Sequence, residues 1–198
     1  RRWNGKEGMK VVCSTSAPQR CTDGYLMQAL KLALDHDLPM HTHILETRMQ
    51  RSTGPEFYGK SIVQHIKDLG FLTDRLTIIH GVWMDMAAIG EAGASVAHNP
   101  VSNLKLGSGI MPLRKMIENK VNIVLGTDGM SSNDGYSMFE TMKFAALLQK
   151  VVDADYRTWL SAKDILDLAI KTPAKSLRRE AEIGGLEEGK DADICIIN

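Results

Sequence analysis

The sequence predicts an α/β fold on a parallel sheet, a partial (β/α)8 TIM-type barrel, and three observations carry the prediction. Short β-branched runs alternate with segments of helical period along most of the 198 residues. A parallel neighbour cannot be reached by a tight hairpin, so strand-helix-strand order implies right-handed crossovers. Five such units are visible, whereas a closed barrel takes eight and about 250 residues, so the chain would supply roughly five-eighths of one.

The elements follow in order. The first strand is expected at Met9 to Ser14, followed by a helix from about Thr22 to His36. That helix carries Leu26, Leu30 and Leu34 on one stripe, Thr22 or Asp23 as its cap and Pro39 past its end. A second strand, Met40 to Leu45, precedes a helix over Lys60 to Leu69, where Gly70 takes the left-handed position that ends it. The third strand is Leu76 to Gly81, and Asp85 then heads a short helix running to Gly93. The fourth strand is Ala94 to Ala97, and Pro112 opens a helix over Leu113 to Asn119. After the fifth strand, Val121 to Thr127, Ser137 and Glu140 form a capping box for the long segment Met138 to Val151. Ser161 to Asp164 marks one more helix start. Residues 1–183 read as the barrel portion. Residues 184–198, with a strand-like run at Ile194 to Ile197, read as a small appended β element.

Composition narrows the function. With 24 basic and 24 acidic side chains the formal charge is zero, so there is no electrostatic footprint for nucleic acid or anionic lipid. No apolar run approaches the roughly 18 to 20 residues of a membrane span. Cys13, Cys21 and Cys195 are odd in number and lack C-x-x-C spacing, which argues against a disulfide framework and for a reducing cytoplasm. Arg1-Arg2 is followed by Trp3-Asn4-Gly5-Lys6-Glu7 rather than an apolar region, so no export signal is expected there. The chain starts without Met and stops directly after a strand-like run, and is expected to be a piece of a longer protein. Met9, Met40, Met84, Met111 and Met138 near element ends are expected to fill core.

In parallel α/β sheets chemistry collects where strands end. Here the second strand ends in His41-Thr42-His43-Ile44-Leu45-Glu46, the third in His80, the fourth in His98-Asn99 and the fifth in Thr127-Asp128-Gly129. His41 and His43 leave the same face of their strand, and Glu46 lies just past its end. Imidazoles with a carboxylate are the ligand set of a catalytic zinc, which keeps a position open for water and lowers its pKa to roughly 7. A nearby glutamate carries the proton. His36 and His65 sit in helical segments and read as structural. H-E-x-x-H, a dinucleotide fingerprint around Gly107 to Gly109, a phosphate loop, a G-x-S-x-G elbow and a P-C-x-x-C pair are all lacking.

These motifs, with Ile79-His80-Gly81, Ala97-His98-Asn99-Pro100-Val101-Ser102-Asn103-Leu104-Lys105-Leu106 and Leu125-Gly126-Thr127-Asp128-Gly129, resemble the amidohydrolase superfamily. The aminohydrolase and chlorohydrolase branch, with its adenosine-type, S-adenosylhomocysteine and guanine deaminases and triazine hydrolases, is the most similar. Leu186 to Ile194 resembles the return into that family's small β-sandwich. The resemblance implies that the five strands are about strands 4 to 8 of the barrel. It also implies His43 and Asp128 as metal ligands, Glu46 as proton shuttle, and His80 as a further ligand or the group that orients the attacking water. His41 would face substrate, with His98 and Asn99 beside it. The implied reaction is attack of a metal-activated hydroxide on a ring carbon of a nitrogen heterocycle, with loss of ammonia or another leaving group.

The resemblance implies one metal ion, zinc with iron as the other candidate, because no lysine ends the first strand. The H-x-H pair that ends the family's first strand is missing before His41. Little turnover is therefore expected of these residues alone, and the metal is expected to be weakly held or absent in the fragment. The open sheet should pair with the N-terminal portion or with a second copy of the chain. Two other classes stay open: a non-catalytic structural fragment, and a small-molecule binding module with an incomplete metal site.

Overall fold

The structure is a computed structural model that describes residues 3–6 and 8–197. Arg1, Arg2, Glu7 and Asn198 lie outside the described residues. Five parallel strands form one sheet in chain order: β1 (Cys13–Ser14), β2 (Met40–Ile44), β3 (Leu76–His80), β4 (Ser95–His98) and β5 (Asn122–Leu125). The fold is α/β, five successive strands of a (β/α)8-type barrel.

Ten α-helices accompany the sheet among the described residues: α1 (Asp23–Asp35), α2 (Arg48–Tyr58), α3 (Ile62–Asp68), α4 (Met86–Glu91) and α5 (Pro100–Lys105), then α6 (Leu113–Glu118), α7 (Met130–Asn133), α8 (Met138–Val152), α9 (Ala162–Ile170) and α10 (Thr172–Ser176). At α1, α2, α3, α4, α8 and α9 the start is set by a side-chain oxygen that accepts an otherwise unpaired first-turn N–H group. The Thr22 hydroxyl accepts from the Tyr25 N–H at 3.2 Å, and Ser61, Asp85 and Ser137 cap α3, α4 and α8 in the same way. Ser161 and Asp164 exchange both bonds of a capping box at α9.

Because side chains alternate along a strand, the register sorts the sheet into two faces. Met40, Ile44, Leu76, Ile78, Val96 and Ile123 point one way, are buried, and pack against Leu26, Leu30, Ile62, Ile66, Ile89 and Met116 from the helices. Fully burying each such side chain stabilises the fold by about 1.5–3 kcal/mol relative to leaving it exposed. The opposite face holds His41, Thr77, Ser95 and Asn122 in one row and His43, Ile79, Ala97 and Val124 in the next.

Several expectations are corrected. On α1 the third buried position is Ala33, while Leu34 is exposed, because seven residues bring a helix back within about 20° of its start and eight overshoot by about 80°. The first strand shrinks to two residues, with Met9 and Val11 exposed beside it, so Met9 fills no core, unlike Met40 and Met111. Ile194 to Ile197 forms no strand; Ile196 is 92% exposed and meets no neighbouring ladder. Helix α2 was not foreseen, since it contains Gly54-Pro55. The glycine is needed where α2 meets the start of α3, because a Cβ there would lie 2.8 Å from the Ile62 nitrogen.

Candidate active site

Three of the strand-end groups, Glu46, His80 and Asp128, are delivered by an unusual backbone turn. After β2, Leu45 takes a φ of 53°, which swings Glu46 back over the strand end, where the Glu46 N–H donates to Gln50 Oε1 at 2.7 Å. His80 itself has a φ of 74° and Gly81 one of 58°, and the Gly81 N–H then donates to the Ile44 carbonyl at 3.1 Å. Asp128, beyond β5, has a φ of 62°. Left-handed conformations cost non-glycine residues of order 1–3 kcal/mol and cluster at functional sites.

The turns bring the predicted residues together. The rings of His43 and His80 are 5.4 Å apart between centroids, and His80 Nε2 lies 3.8 Å from Glu46 Oε2. Ser108 Oγ donates to Glu46 Oε1 at 3.1 Å, and His80 Nδ1 is 2.9 Å from Asn103 Oδ1. Asp128 Oδ2 accepts from Ser102 Oγ at 2.5 Å, and its Oδ1 accepts from the Gly129 N–H at 2.8 Å. A cleft lined by Thr15, Ser16, Arg20, His43, Glu46 and Gln50 opens beside this group. His41 is half-buried on the face it shares with His43.

His98 and Asn99 stand apart. His98 is in register with Leu125 and, two residues after Val96, belongs to the helix-covered face; it is fully buried. Neither of its ring nitrogens has a partner among the described residues. Asn99 is 3% exposed, and its Oδ1 packs so close to Gly126 that a Cβ there would sit 2.4 Å away. Of the two helical histidines, His65 Nε2 pairs with Asp23 Oδ1 at 2.9 Å and stacks on Tyr58, a structural role, and His36 is the residue that ends α1.

Electrostatics favour neutral imidazoles beside an ionised carboxylate. Burial lowers the His41 pKa, helped by His43. Burial also lowers that of His43, as does His80, against the pull of Glu46 and Asp128. His98 is pushed down to about 3 by burial and by the neighbouring His80. For Asp128 burial works upward, but hydrogen bonds from Ser102, Gly129 and Ser132 and the His80 charge outweigh it, so its carboxyl lies below the ordinary range.

The donor chemistry suits zinc: a neutral, solvent-reachable imidazole at His43 and an ionised carboxylate at Asp128 on separate strand ends of one face. Among the described residues no group of three or more His, Cys, Asp or Glu side chains closes a metal site by itself. The residues present fit as part of a site rather than the whole of one.

The family model for the amidohydrolases matches residues 2–198. The chain belongs to the amidohydrolase family. It is 43% identical, over 97% of its length, to a 5-methylthioadenosine/S-adenosylhomocysteine deaminase of Thermococcus kodakarensis, of which it spans 45%. The crystal structure of an adenosine deaminase from Xanthomonas campestris with bound zinc superposes with a TM-score of 0.91 at 33% identity, covering 97% of this amidohydrolase chain and 44% of that one. An atrazine chlorohydrolase from Arthrobacter aurescens complexed with zinc superposes at 0.90 with 26% identity, covering 96% and 43%. The chain therefore spans about half the length of the curated relatives it matches. Sequence reasoning missed Gln50, Ser108 and Arg20 as members of the site. Gln50 is one helical turn beyond Glu46, a readable signal, but Ser108 lies 62 residues from the carboxylate it touches.

Proposed function

We propose that this amidohydrolase chain forms part of the active site of a zinc-dependent deaminase acting on adenosine-type nucleosides. The observation that carries the reading is the convergence of His43, Glu46, His80 and Asp128 from three separate strand ends, with every carboxylate and His80 held by a named hydrogen bond. His43 and Asp128 would hold the metal, His80 being a further ligand or the group that orients water. When bound, the metal supplies a water acidified for attack on the ring carbon that carries the amino group.

The chain's own residues then divide the work. Glu46 keeps Oε1 on Ser108 and turns Oε2 toward His80, so one oxygen is available to deliver a proton to the ring nitrogen. Asp128, held in its ionised form, accepts a proton. His41 lines the substrate side. His98 and Asn99 offer a ligand almost no surface, so their place in this reading is behind the reacting groups. No helix among the described residues is long and apolar enough to cross a membrane; the cytoplasmic site of action proposed here rests on three cysteines, odd in number and without C-x-x-C spacing. The edges at β1 and β5 are where the rest of the protein, or a second copy, would sit.

The test is ammonia release from adenosine, S-adenosylhomocysteine and 5-methylthioadenosine by the protein at its relatives' full length. Zinc-dependent release supports the proposal; its absence with zinc bound contradicts it. That no three-donor group forms among the described residues favours a second reading, a nucleoside-binding module. That reading expects ligand-induced thermal stabilisation without product.

A further inference from the structure

We propose that the stretch from Ser102 to Ser108 is a positioning brace, in which Asn103 fixes His80 as its Nδ1–H tautomer while Ser102 and Ser108 hold Asp128 and Glu46. Three polar side chains of one short segment each meet a reacting group from a different strand: Ser102 reaches Asp128 beyond β5, Asn103 reaches His80 on β3, and Ser108 reaches Glu46 beyond β2. All three are buried, at 0%, 1% and 2% exposure. Burying a hydroxyl or amide is costly unless it is hydrogen-bonded; these contacts pair the two serine hydroxyls and Asn103 Oδ1, while Asn103 Nδ2 has no partner among the described residues.

Chemistry fixes the direction of each bond. An ionised carboxylate only accepts, so the two serines donate. An amide oxygen also only accepts, so with the Asn103 oxygen turned to the ring His80 Nδ1 carries the hydrogen, and in the neutral imidazole Nε2 is then bare toward Glu46 Oε2, 3.8 Å away. A bare Nε2 on that side can accept a hydrogen bond or a proton from a water between the two groups. The other tautomer would point an N–H at the carboxylate and leave that water no acceptor on the ring.

The brace is itself tied down. The Asn103 N–H donates to the Asn99 carbonyl at 2.9 Å, the Ser108 N–H to the Asn103 carbonyl at 2.8 Å, and Trp83 Nε1–H to the Ser108 carbonyl at 2.7 Å. Gly109, at a φ of 118°, lies flat against the Trp83 ring, where a Cβ would come within 3.0 Å. Trp83 follows His80 by three residues, so the segment is anchored to the same turn whose histidine it orients. The catalytic meaning of the brace rests on the deaminase reading, whereas its geometry does not.

Long-range 1H–15N correlation spectra of 15N-histidine-labelled protein, with no metal added and at a pH above the ordinary imidazole range, test it directly. The expected result is a protonated Nδ1 and bare Nε2 for His80, opposite to His65, whose Nε2–H faces Asp23. Asn103→Ala should turn His80 into a mixture of both neutral tautomers, and Asn103→Asp, which keeps an acceptor, should restore Nδ1–H. In the deaminase assay Asn103→Ala should lower kcat by about 10- to 100-fold, the usual effect of a partner that orients a ligand or base, with KM little changed. A wild-type His80 protonated at Nε2, or one unchanged by Asn103→Ala, overturns the brace. Should Asn103→Ala fail to fold, seen as loss of the His65 signals, the wild-type and Asn103→Asp spectra still decide. The predicted tautomer without ammonia release would sink the deaminase reading alone; ammonia release with Nε2–H at His80 would sink the brace alone.

Discussion

The two faces of the sheet are made from the same strands and differ in almost every other respect. The helix-covered face is mainly apolar, with Met40, Ile44, Leu76, Ile78 and Val96 fully buried beside the buried polar Thr42 and His98. The opposite face mixes polar side chains with Ile79, Ala97 and Val124, with His41 and Asn122 half-buried and His43 exposed, and it leads to the strained turns that present Glu46, His80 and Asp128. One face supplies stability, and the strain of the strand-end turns is borne by it. The difference teaches that substitutions should sort by face: fold on one side, chemistry on the other.

The largest effect should come from Glu46→Gln. Turnover in the full-length protein should fall by about 10²- to 10⁴-fold through loss of the proton carrier, while zinc content and thermal stability hold. Unchanged turnover would remove Glu46 from the mechanism. On the covered face, Ile78→Ala should destabilise the fold by about 2–5 kcal/mol in denaturant titrations, because it opens a cavity in a fully packed layer. A cost under about 1 kcal/mol would mean the layer is looser than its burial indicates.

The next prediction concerns the ring that crosses the division. His98 lies on the covered face with a folded-state pKa depressed from 6.5 to about 3. The unfolded chain therefore binds a proton at this residue that the folded chain refuses. Stability should be fully present above pH 6.5 and decline as pH falls toward about 3. His98→Leu should flatten that decline, and an equally steep pH profile in the variant would place the titration elsewhere. The smallest effect is expected at Thr77, whose buried hydroxyl on the polar face has no partner among the described residues. Thr77→Val should be neutral or stabilising by up to about 1 kcal/mol, and a clear loss of denaturant midpoint would show that the hydroxyl is satisfied after all.

Much of this was legible in the sequence because it depends on period and spacing. The five strands, most helix starts and the positions of His43, Glu46, His80 and Asp128 at strand ends follow from alternation and from capping residues that act within a few positions. What was not legible depends on tertiary contact or on backbone conformation. The left-handed φ of His80 and Asp128 has no signal in residues that are not glycine. Helix α2 survives Gly54-Pro55 because packing against α3 demands the glycine. Leu34 read as core because a stripe counted in fours drifts off the helix face. The Ser108 contact to Glu46 and the burial of His98 depend on neighbours far away in the chain.

The central claim is that imidazole and carboxylate groups from separate strands serve one cation. Zinc analysis of the full-length protein beside His43→Ala and Asp128→Ala tests it most directly. One equivalent in the wild type, lost in both variants with the fold retained, is the predicted result. Zinc retained in either variant, or none in the wild type, would contradict it.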